Sequence, residues 1–430
     1  MTEDRTNGVD REAKRIVATL TMEQKVELRS GSDAWHIGAI PGAGLAETLM
    51  TDGPHGVRKA LPTDDGRFGT TVPSTCFPTA VTLGSSWDVD LLEEVGAALG
   101  EEALVEGVSI VLGPGLNLKR HPNGGRNFEY FSEDPVVSGK LAGALARGIQ
   151  STGVLACLKH FAANNQETAR FIVNTIVDER TLRELYLAGF EIAVKESDPG
   201  SVMSAYNRIN GEYCGDSRRL LTEILRDEWE FNGFVVSDWG ATNDRVAAVK
   251  AGQDLEMPSS GGAFDDDLRK ALLSDRLDAE DVDLAVERLV RAALIGAALE
   301  RPDSYDVDAH HALARRAAAA GTVLFDNDGV LPLEEPTSVA VIGAFAEHPR
   351  FQGAGSSGVK ETRLDAALTS FQEALGHEAV AYASGYDVRS GDTSSGLLAE
   401  AESVAAAAEV AVVFAGFPAA IESEGFDRHS

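Results

Sequence analysis

The chain has 430 residues, more than a single hydrophobic core usually serves, so two domains are expected. Its hydrophobic fraction of 43% and charged fraction of 25% are those of an ordinary globular protein. The formal net charge of −30 disfavours nucleic acid or an anionic membrane as a partner, because phosphate binding requires a basic face.

The first part of the chain alternates amphipathic helices with short apolar runs. Thr21 and Gln24 have the spacing of a capping box, which predicts the start of a helix. Asp88 is expected to cap another helix, whose apolar residues recur at helical spacing until Gly107 ends it. The apolar run 108–112 follows at once, so helix and strand together indicate units arranged around a parallel sheet.

Charged or aromatic residues stand at the ends of five successive predicted strands. The runs are 48–50 before Asp52, 154–157 before Lys159 and His160, 201–204 before Tyr206 and 234–237 before Asp238 and Trp239. The fifth run, 253–256, itself ends in Glu256 and precedes Met257 and Pro258. A β/α barrel builds its active site in this way, from the carboxyl ends of its strands. We therefore expect an α/β fold that begins with a (β/α)8-type, TIM-like barrel.

The chain changes character after Pro258. A loop at 259–266 precedes helices at 267–299, and Pro302 to Ser304 suggest a linker, so the barrel is placed at 1–300 and a second domain at 301–430. A second α/β unit is expected from about His310, with strands at 338–343 and 409–415. Only about three strands are expected before Ser430, so the second domain is predicted to be incomplete.

One interpretation of the Gly/Ser loop at 353–358 is a phosphate cradle. It lacks the Lys-Ser/Thr ending of a P-loop, and a tight turn or an active-site rim is the favoured interpretation.

The cysteines and the N-terminus predict a cytoplasmic location. Cys76, Cys157 and Cys214 are odd in number and widely spaced, which favours buried free thiols in a reducing compartment. Residues 1–10 are polar and contain no apolar stretch suited to a secretion signal, and no run reaches membrane-spanning length. The histidines are scattered without metal-ligand spacing, so no metal site and no cofactor are expected.

Six stretches of this sequence resemble glycoside hydrolase family three, in its β-glucosidase-type branch with a barrel followed by an α/β sandwich. They are DGPHGVR at 52–58, GRNFEYFSEDP at 125–135, KHFAANNQE at 159–167, MSAYNRING at 203–211, SDWG at 237–240 and ESEGFDR at 422–428. The resemblance implies that the second domain is a truncated sandwich, and that both domains contribute to one site.

Hydrolysis of a glycosidic bond needs two carboxyl groups in opposite protonation states. The resemblance identifies Asp238 as the nucleophile, expected to stay ionised through Arg126, Lys159 and His160. It places the acid/base within 422–428, where Glu424 is preferred to Glu422. The negative charge of Asp238 is expected to raise the pKa of this acid.

The resemblance also implies a set of sugar-binding residues. Asp52, Arg126, Lys159, His160 and Arg170 are expected to hold the sugar hydroxyls, although a structural ion-pair network would explain the same charges.

The remaining site residues of the resemblance are aromatic, apolar or structural. Tyr206 is expected to orient the nucleophile, Met203 to line the floor and Trp239 to form an apolar platform. Glu129 and Glu133 are interpreted as structural.

The predicted function is that of a retaining, exo-acting β-glucosidase acting on a small β-glucoside or oligosaccharide, with oligomer formation left open. Ala162, Ala163 and Asn164 replace the Pro-Gly-His of the family's N-acetylglucosaminidases, which disfavours that branch. Two alternatives remain: a β-xylosidase-type member of the family, and a catalytically impaired sugar-binding fragment that needs a missing segment.

Overall fold

The computed structural model describes residues 3–61, 70–334 and 336–429. Met1, Thr2 and Ser430, which entered the predictions about the two ends of the chain, lie outside these ranges. Within them, no helix is both long enough and apolar enough to cross a bilayer.

A curled six-stranded sheet forms the first domain. Its strands are β1 (His36–Ile37), β2 (Thr48–Asp52), β3 (Ile110–Leu112), β4 (Leu155–Phe161), β5 (Ser201–Ser204) and β6 (Phe234–Ser237). They follow one another in chain order, with β1 antiparallel to β2 and all other pairs parallel. Single bridges from Val236 to Leu255 and from Ser30 to Glu256 continue the curl beyond β6. The sheet is the predicted barrel.

Two strand predictions differ from the structure in detail. The run 253–256 makes only single bridges, because the N–H groups of Asp254 and Leu255 both donate to the Val235 carbonyl oxygen and leave no regular ladder. The run 108–112 becomes a strand only at Ile110, because the Val108 N–H still donates to Ala103 at the end of the preceding helix.

Helices cover the outside of the barrel, and two begin as the sequence predicts. Thr21 and Gln24 form the reciprocal capping box, and the Asp88 carboxylate accepts the N–H groups of Asp90 and Leu91. The α-helices up to the second sheet are Glu3–Val17, Met22–Glu27, Ala80–Ser86, Val89–Val105, Pro135–Ser151, Glu179–Thr181, Ala188–Ser197, Arg245–Ala251, Asp265–Leu273, Ala279–Ala297 and Val307–Ala320, with π-helical segments Leu182–Leu187 and Arg219–Glu228.

The second domain has a small parallel sheet of three described strands, as expected. They are β7 (Val339–Ile342), β8 (Val380–Ala383) and β9 (Val410–Val413), in the order β8-β7-β9, with helices Ala367–Leu375 and Ser395–Ala407. The short strands Lys360–Glu361 and Pro73–Ser74 pair across the two domains. The helix Val307–Ala320 packs on barrel helices, and the boundary at residue 300 stays a prediction.

Candidate active site

A pocket of about 270 Å³, called the central pocket below, opens at the carboxyl ends of the barrel strands. Its lining residues are Trp35, Asp52, Arg58, Arg126, Lys159, His160, Arg170, Met203, Tyr206, Asp238, Trp239, Ser356 and Glu424. All ten residues predicted for the site are among these, so the structure brings the whole set together. The role of each residue stays a prediction.

The alternation of side chains along the strands explains why these residues meet. Met50 on β2 and Val236 on β6 are fully buried in the core inside the barrel. Side chains two positions apart share a face of a strand, so Asp52 and Asp238 extend the same inward face to the barrel mouth.

An irregularity in β4 adds two neighbouring side chains to the pocket. The pairing with β5 shifts between Leu158 and Phe161, so β4 has one more residue than its partner strand there. Such a bulge changes the direction of side chains locally, and Lys159 and His160 both line the pocket although they are adjacent in sequence.

Asp52 lies on one wall between two basic groups. Its carboxylate is 3.4 Å from Arg58 Nη1 and 3.7 Å from Lys159 Nζ. Burial raises the pKa of Asp52 to about 6, because it outweighs the opposing attraction of Lys159 and Arg58.

A buried ion-pair network lies under the pocket. Glu129 is 2.7 Å from Arg126 Nη2 and 3.4 Å from Lys159 Nζ, and all three side chains are almost fully buried. Burial opposes the charge on Glu129, but Arg126 and Lys159 outweigh it and lower the pKa of Glu129. The buried position of Glu129 beneath the pocket is consistent with the structural role predicted for it. Glu133 is exposed on the surface.

Asp238 faces the pocket with one of its two carboxylate oxygens. Oδ1 accepts the Trp239 N–H at 2.7 Å. Oδ2 accepts no hydrogen bond from the residues that the structure describes and stands 3.7 Å from His160 Nε2. Burial outweighs the opposing effects of Arg126, the Trp239 N–H and Lys159, so the pKa of Asp238 is raised above its usual value.

The expectation that His160 is a cation beside Asp238 is wrong. Burial, with Arg126 and Lys159 nearby, lowers the pKa of His160 well below its usual value, so its imidazole is neutral. The ring is held by Tyr130 Oη, 3.1 Å from His160 Nδ1. Arg126 and Lys159 are therefore the groups that favour the ionised form of Asp238.

Aromatic residues form the wall around the nucleophile candidate. The Tyr206 hydroxyl donates to the Trp239 carbonyl oxygen at 3.0 Å, and burial together with the charge of Asp238 raises the pKa of Tyr206. The Trp239 ring lies 5.5 Å from the Trp35 ring, and Met203 is buried at the top of the barrel core. These rings give the pocket the apolar surface that a sugar face prefers.

Glu424 reaches the pocket from the second domain. Its Oε1 is 2.8 Å from Arg170 Nη1 and 3.8 Å from Arg126 Nη1, and its Oε2 accepts the Ser356 N–H at 2.7 Å. Burial opposes the charge, but Arg126, the Ser356 N–H and Arg170 outweigh it and lower the pKa of Glu424. The expected rise in the pKa is therefore wrong for this arrangement, because two arginines face the group more closely than the sequence suggested.

The segment 422–428, called the acid loop below, is fastened to the barrel close to Glu424. The Asp427 carboxylate accepts the N–H groups of Gly125, Glu167 and Thr168 at 2.8 to 3.1 Å. Glu167 in turn accepts the Gly425 N–H at 2.8 Å. These contacts, all made between residues of this chain, hold the acid loop over the barrel mouth.

Gly125 is required for this close approach. A Cβ at that position would lie 1.9 Å from the Phe426 carbonyl oxygen and 2.4 Å from that of Ser423. Any side chain there would push the acid loop away from the barrel.

The geometry separates the two competing glutamates. Glu424 lines the central pocket, whereas Glu422 lies 3.8 Å from Arg350 Nη2 and 3.9 Å from Arg428 Nη1 on the outer side of the acid loop. This placement favours Glu424 as the acid/base candidate.

The sequence interpretation missed three residues of the pocket. Arg58 belongs to the DGPHGVR motif at 52–58, and Ser356 belongs to the Gly/Ser loop, for which a tight turn or an active-site rim is the favoured interpretation. Trp35 precedes the first strand and stands in no recognised motif, so no comparable signal pointed to it.

Comparison with known proteins agrees with this arrangement. The family model described as "Glycosyl hydrolase family 3 N terminal domain" matches residues 45–292, and the model of the family's C-terminal domain matches residues 322–430. The chain therefore belongs to glycosyl hydrolase family 3.

Individual relatives cover almost all of the chain. It is 51% identical to thermostable beta-glucosidase B of Acetivibrio thermocellus, over 96% of this chain and 56% of that protein. It is 42% identical to an exo-alpha-(1->6)-L-arabinopyranosidase of Bifidobacterium longum, with the same two coverages. The chain thus spans little more than half the length of these relatives.

Solved structures show the same fold. A family 3 beta-glucosidase of Bifidobacterium adolescentis superposes with a TM-score of 0.88 at 42% identity, over 96% of this chain and 60% of that one. Beta-glucosidase 3B of Thermotoga neapolitana, solved with alpha-D-glucose, gives a TM-score of 0.86 at 34% identity, over 97% of this chain and 64% of that one. These likenesses support a TIM-like barrel followed by part of an α/β sandwich.

Proposed function

We propose that the protein is a retaining, exo-acting β-glucosidase that removes terminal β-D-glucosyl residues from small glucosides. The single observation that carries this proposal is the pairing of Asp238 and Glu424 across one small pocket, each supplied by a different domain. Two carboxyl groups on one pocket are what glycoside hydrolysis by a covalent intermediate requires.

In the first step, Asp238 Oδ2 attacks carbon 1 of the bound sugar. The bond from carbon 1 to the leaving oxygen breaks, and Glu424 gives its proton to that oxygen. In the second step, Glu424 takes a proton from water, the water oxygen bonds to carbon 1, and the ester to Asp238 breaks.

The first step needs Glu424 in its protonated form, although Arg126, the Ser356 N–H and Arg170 favour its carboxylate. The leaving group of an entering glycoside occupies the space beside Glu424. We propose that it displaces Arg170 from Glu424, so that the pKa of Glu424 rises only when substrate is bound. Arg170 also faces the Tyr206 ring at 4.8 Å, which offers the guanidinium an alternative partner.

The preference for a hexose rests on Asp52. A carboxylate held by Lys159 and Arg58 is suited to accept hydrogen bonds from the 4- and 6-hydroxyl groups of glucose. Xylose lacks carbon 6 and would lose part of this contact. A panel of aryl β-glucoside, β-xyloside and α-L-arabinopyranoside tests the assignment, and faster turnover of the β-xyloside would favour the β-xylosidase alternative.

Asp238→Asn tests the central role. Turnover of an aryl β-glucoside should fall by at least a thousandfold while glucose binding persists, because the shape of the pocket remains and only the nucleophile is lost. A 2-deoxy-2-fluoro glucoside should label Asp238, as peptide mapping would detect. Wild-type protein that binds glucose without any turnover would instead support the sugar-binding-fragment alternative.

We also propose a cytoplasmic location. Cys76, Cys157 and Cys214 are free, and burial raises the pKa of each thiol to about 12. Fractionation of the source cells tests this, and recovery of the protein mainly from the medium would contradict it. Oligomer formation stays open, and light scattering would determine it.

A further inference from the structure

Three exposed apolar side chains follow β4 in the segment that begins beside the central pocket. Phe171, Ile172 and Ile176 are 51%, 62% and 77% exposed, and together they are called the apolar patch below. Single exposed apolar residues are common on protein surfaces, whereas a group of them near a pocket often marks a binding surface. The hydrolysis proposed above uses none of the three.

Phe171 connects the apolar patch to the central pocket. Its ring lies 4.4 Å from the Tyr206 ring, and the Arg170 guanidinium lies 5.3 Å from the Phe171 ring. Arg170 and Tyr206 both line the central pocket. Because Phe171 is half exposed and packs against two residues of the pocket wall, it lies at the mouth of the pocket.

The backbone that carries the apolar patch is held by hydrogen bonds. The Ile172 N–H donates to the Ala169 carbonyl oxygen at 2.9 Å, and the Arg208 guanidinium donates to the Ile172 carbonyl oxygen at 2.7 Å. Asn174–Thr175 then pairs with Arg208–Ile209 as two short parallel strands. The apolar side chains thus stand on a fixed segment, which reduces the entropy that is lost when a ligand binds.

The position of Glu424 places the leaving group on the same side of the central pocket as Phe171. A general acid must lie within hydrogen-bond reach of the oxygen that it protonates. Glu424 Oε1 is 2.8 Å from Arg170 Nη1, and Arg170 directly precedes Phe171 in the chain. A leaving group that extends from Glu424 past Arg170 therefore reaches the Phe171 ring.

The size of the central pocket keeps most of the leaving group outside it. Its volume of about 270 Å³ suits a single sugar ring and lies below the range of about 300–1,000 Å³ that is usual for pockets of drug-sized ligands. Outside, the apolar patch offers one aromatic ring and two branched aliphatic side chains. The hydroxyl groups of a second sugar would find no hydrogen-bonding side chain among these three, whereas a flat aromatic group would bury apolar area against them.

We propose that the apolar patch binds the leaving group of the glycoside and selects flat aromatic groups over a second sugar, with Phe171 as the specificity-determining residue. This proposal rests on the β-glucosidase function proposed above, because the glucosyl group must occupy the central pocket first. The aromatic group packs against Phe171 in the offset or edge-on arrangement that aromatic pairs prefer, and Ile172 extends the apolar contact. No bond changes at the apolar patch, so its effect is on binding.

Thioglucosides test the apolar patch without turnover, because their sulfur atom resists protonation by a carboxyl group. Titration calorimetry on the wild-type chain compares methyl, phenyl and 2-naphthyl 1-thio-β-D-glucoside. The naphthyl compound should bind about fivefold more tightly than the methyl compound or better, with the phenyl compound between them. 4-Thiocellobiose, which carries a second sugar in place of the aromatic group, should bind no more tightly than the methyl compound.

Three variants assign this preference to the ring of Phe171. Phe171→Ser should bring the affinity for the naphthyl compound within about twofold of that for the methyl compound. Phe171→Tyr keeps the ring and should retain the wild-type preference. Phe325→Ser is the matched control, because it makes the same change at a phenylalanine that is 97% exposed and does not line the central pocket. It should leave all the affinities unchanged.

A wild-type series with no rise in affinity from methyl to naphthyl would overturn the proposal, and this outcome does not depend on whether Phe171→Ser folds. A folded Phe171→Ser protein that keeps the naphthyl preference would also overturn it, as would tighter binding of 4-thiocellobiose than of the naphthyl compound. Failure of the proposed hydrolysis would look different. Turnover of oxygen-linked glucosides would be missing, while the naphthyl preference and its loss in Phe171→Ser would persist.

Discussion

The fastening of the acid loop by Asp427 makes a quantitative prediction. Asp427→Ala removes the acceptor for three backbone N–H groups, those of Gly125, Glu167 and Thr168. A hydrogen bond to a charged group contributes about 1.5–3 kcal/mol, and roughly 1 kcal/mol each is reasonable for this half-exposed carboxylate. The total of about 3 kcal/mol corresponds to roughly 100-fold in the population of the docked loop.

This value is an upper limit on the loss of activity, because the contacts of Gly425 with Glu167 and of Glu424 with Ser356 remain. We expect kcat to fall about 10- to 100-fold for a glucoside with a poor leaving group, such as phenol, which needs the acid. A dinitrophenyl glucoside leaves without protonation and should lose much less. KM should change little, because most of the pocket belongs to the barrel.

Steady-state kinetics with the two aryl glucosides measures this difference. Asp387→Ala is the matched control, because its carboxylate also accepts two backbone N–H groups, from Arg389 and Ser390, in an exposed turn of the second domain. It should leave both rates unchanged. The reasoning is refuted if Asp427→Ala slows both substrates equally, or if phenyl glucoside turnover stays within twofold of wild type.

Two pH-dependent predictions follow from the charges in the central pocket. Arg170→Met removes one of the groups that lower the pKa of Glu424. The alkaline limb of the kcat/KM profile, where a general acid loses its proton, should therefore move to higher pH. An unchanged alkaline limb would contradict the assignment of Glu424 as the acid. Asp52 has its pKa raised to about 6, so it loses its charge as the pH falls through this value, and glucose binding should weaken several-fold below about pH 6. Asp52→Asn should bind glucose less tightly at neutral pH and show none of this pH dependence. Titration calorimetry at pH 5 and pH 7.5 measures both affinities, and equal wild-type affinity at the two pH values would contradict the prediction.

Sequence patterns predicted local features well. The caps at Thr21 and Asp88 depend on residues within one helical turn, so their chemistry is complete in the sequence. The positions of Asp52 and Asp238 follow from the alternation of a strand, which is also a local property. That Glu424 joins them from the other domain was predicted only through the family resemblance.

Charge states could not be predicted in the same way. The pKa of Glu424 is lowered by Arg126, the Ser356 N–H and Arg170, and all three residues lie far from Glu424 in the sequence, Arg170 by 254 positions. His160 is neutral because the fold surrounds it with buried cations and little solvent. Both charge states depend on distances between residues that are far apart in the chain. The order of motifs along a sequence does not give these distances.

The contacts that position the acid loop have an implication for how this protein tolerates change. At the barrel surface, Asp427 binds main-chain N–H groups, and the Arg428 N–H and guanidinium donate to the main-chain oxygens of Asn123 and Pro122. Every amino acid except proline offers the same backbone N–H, so most side chains on this part of the barrel can vary while the alignment between the domains persists; the exception is Glu167, whose carboxylate accepts the Gly425 N–H. Exchanging second domains among homologous enzymes should therefore succeed wherever the aspartate of the loop, the glycine facing it and this glutamate are all retained.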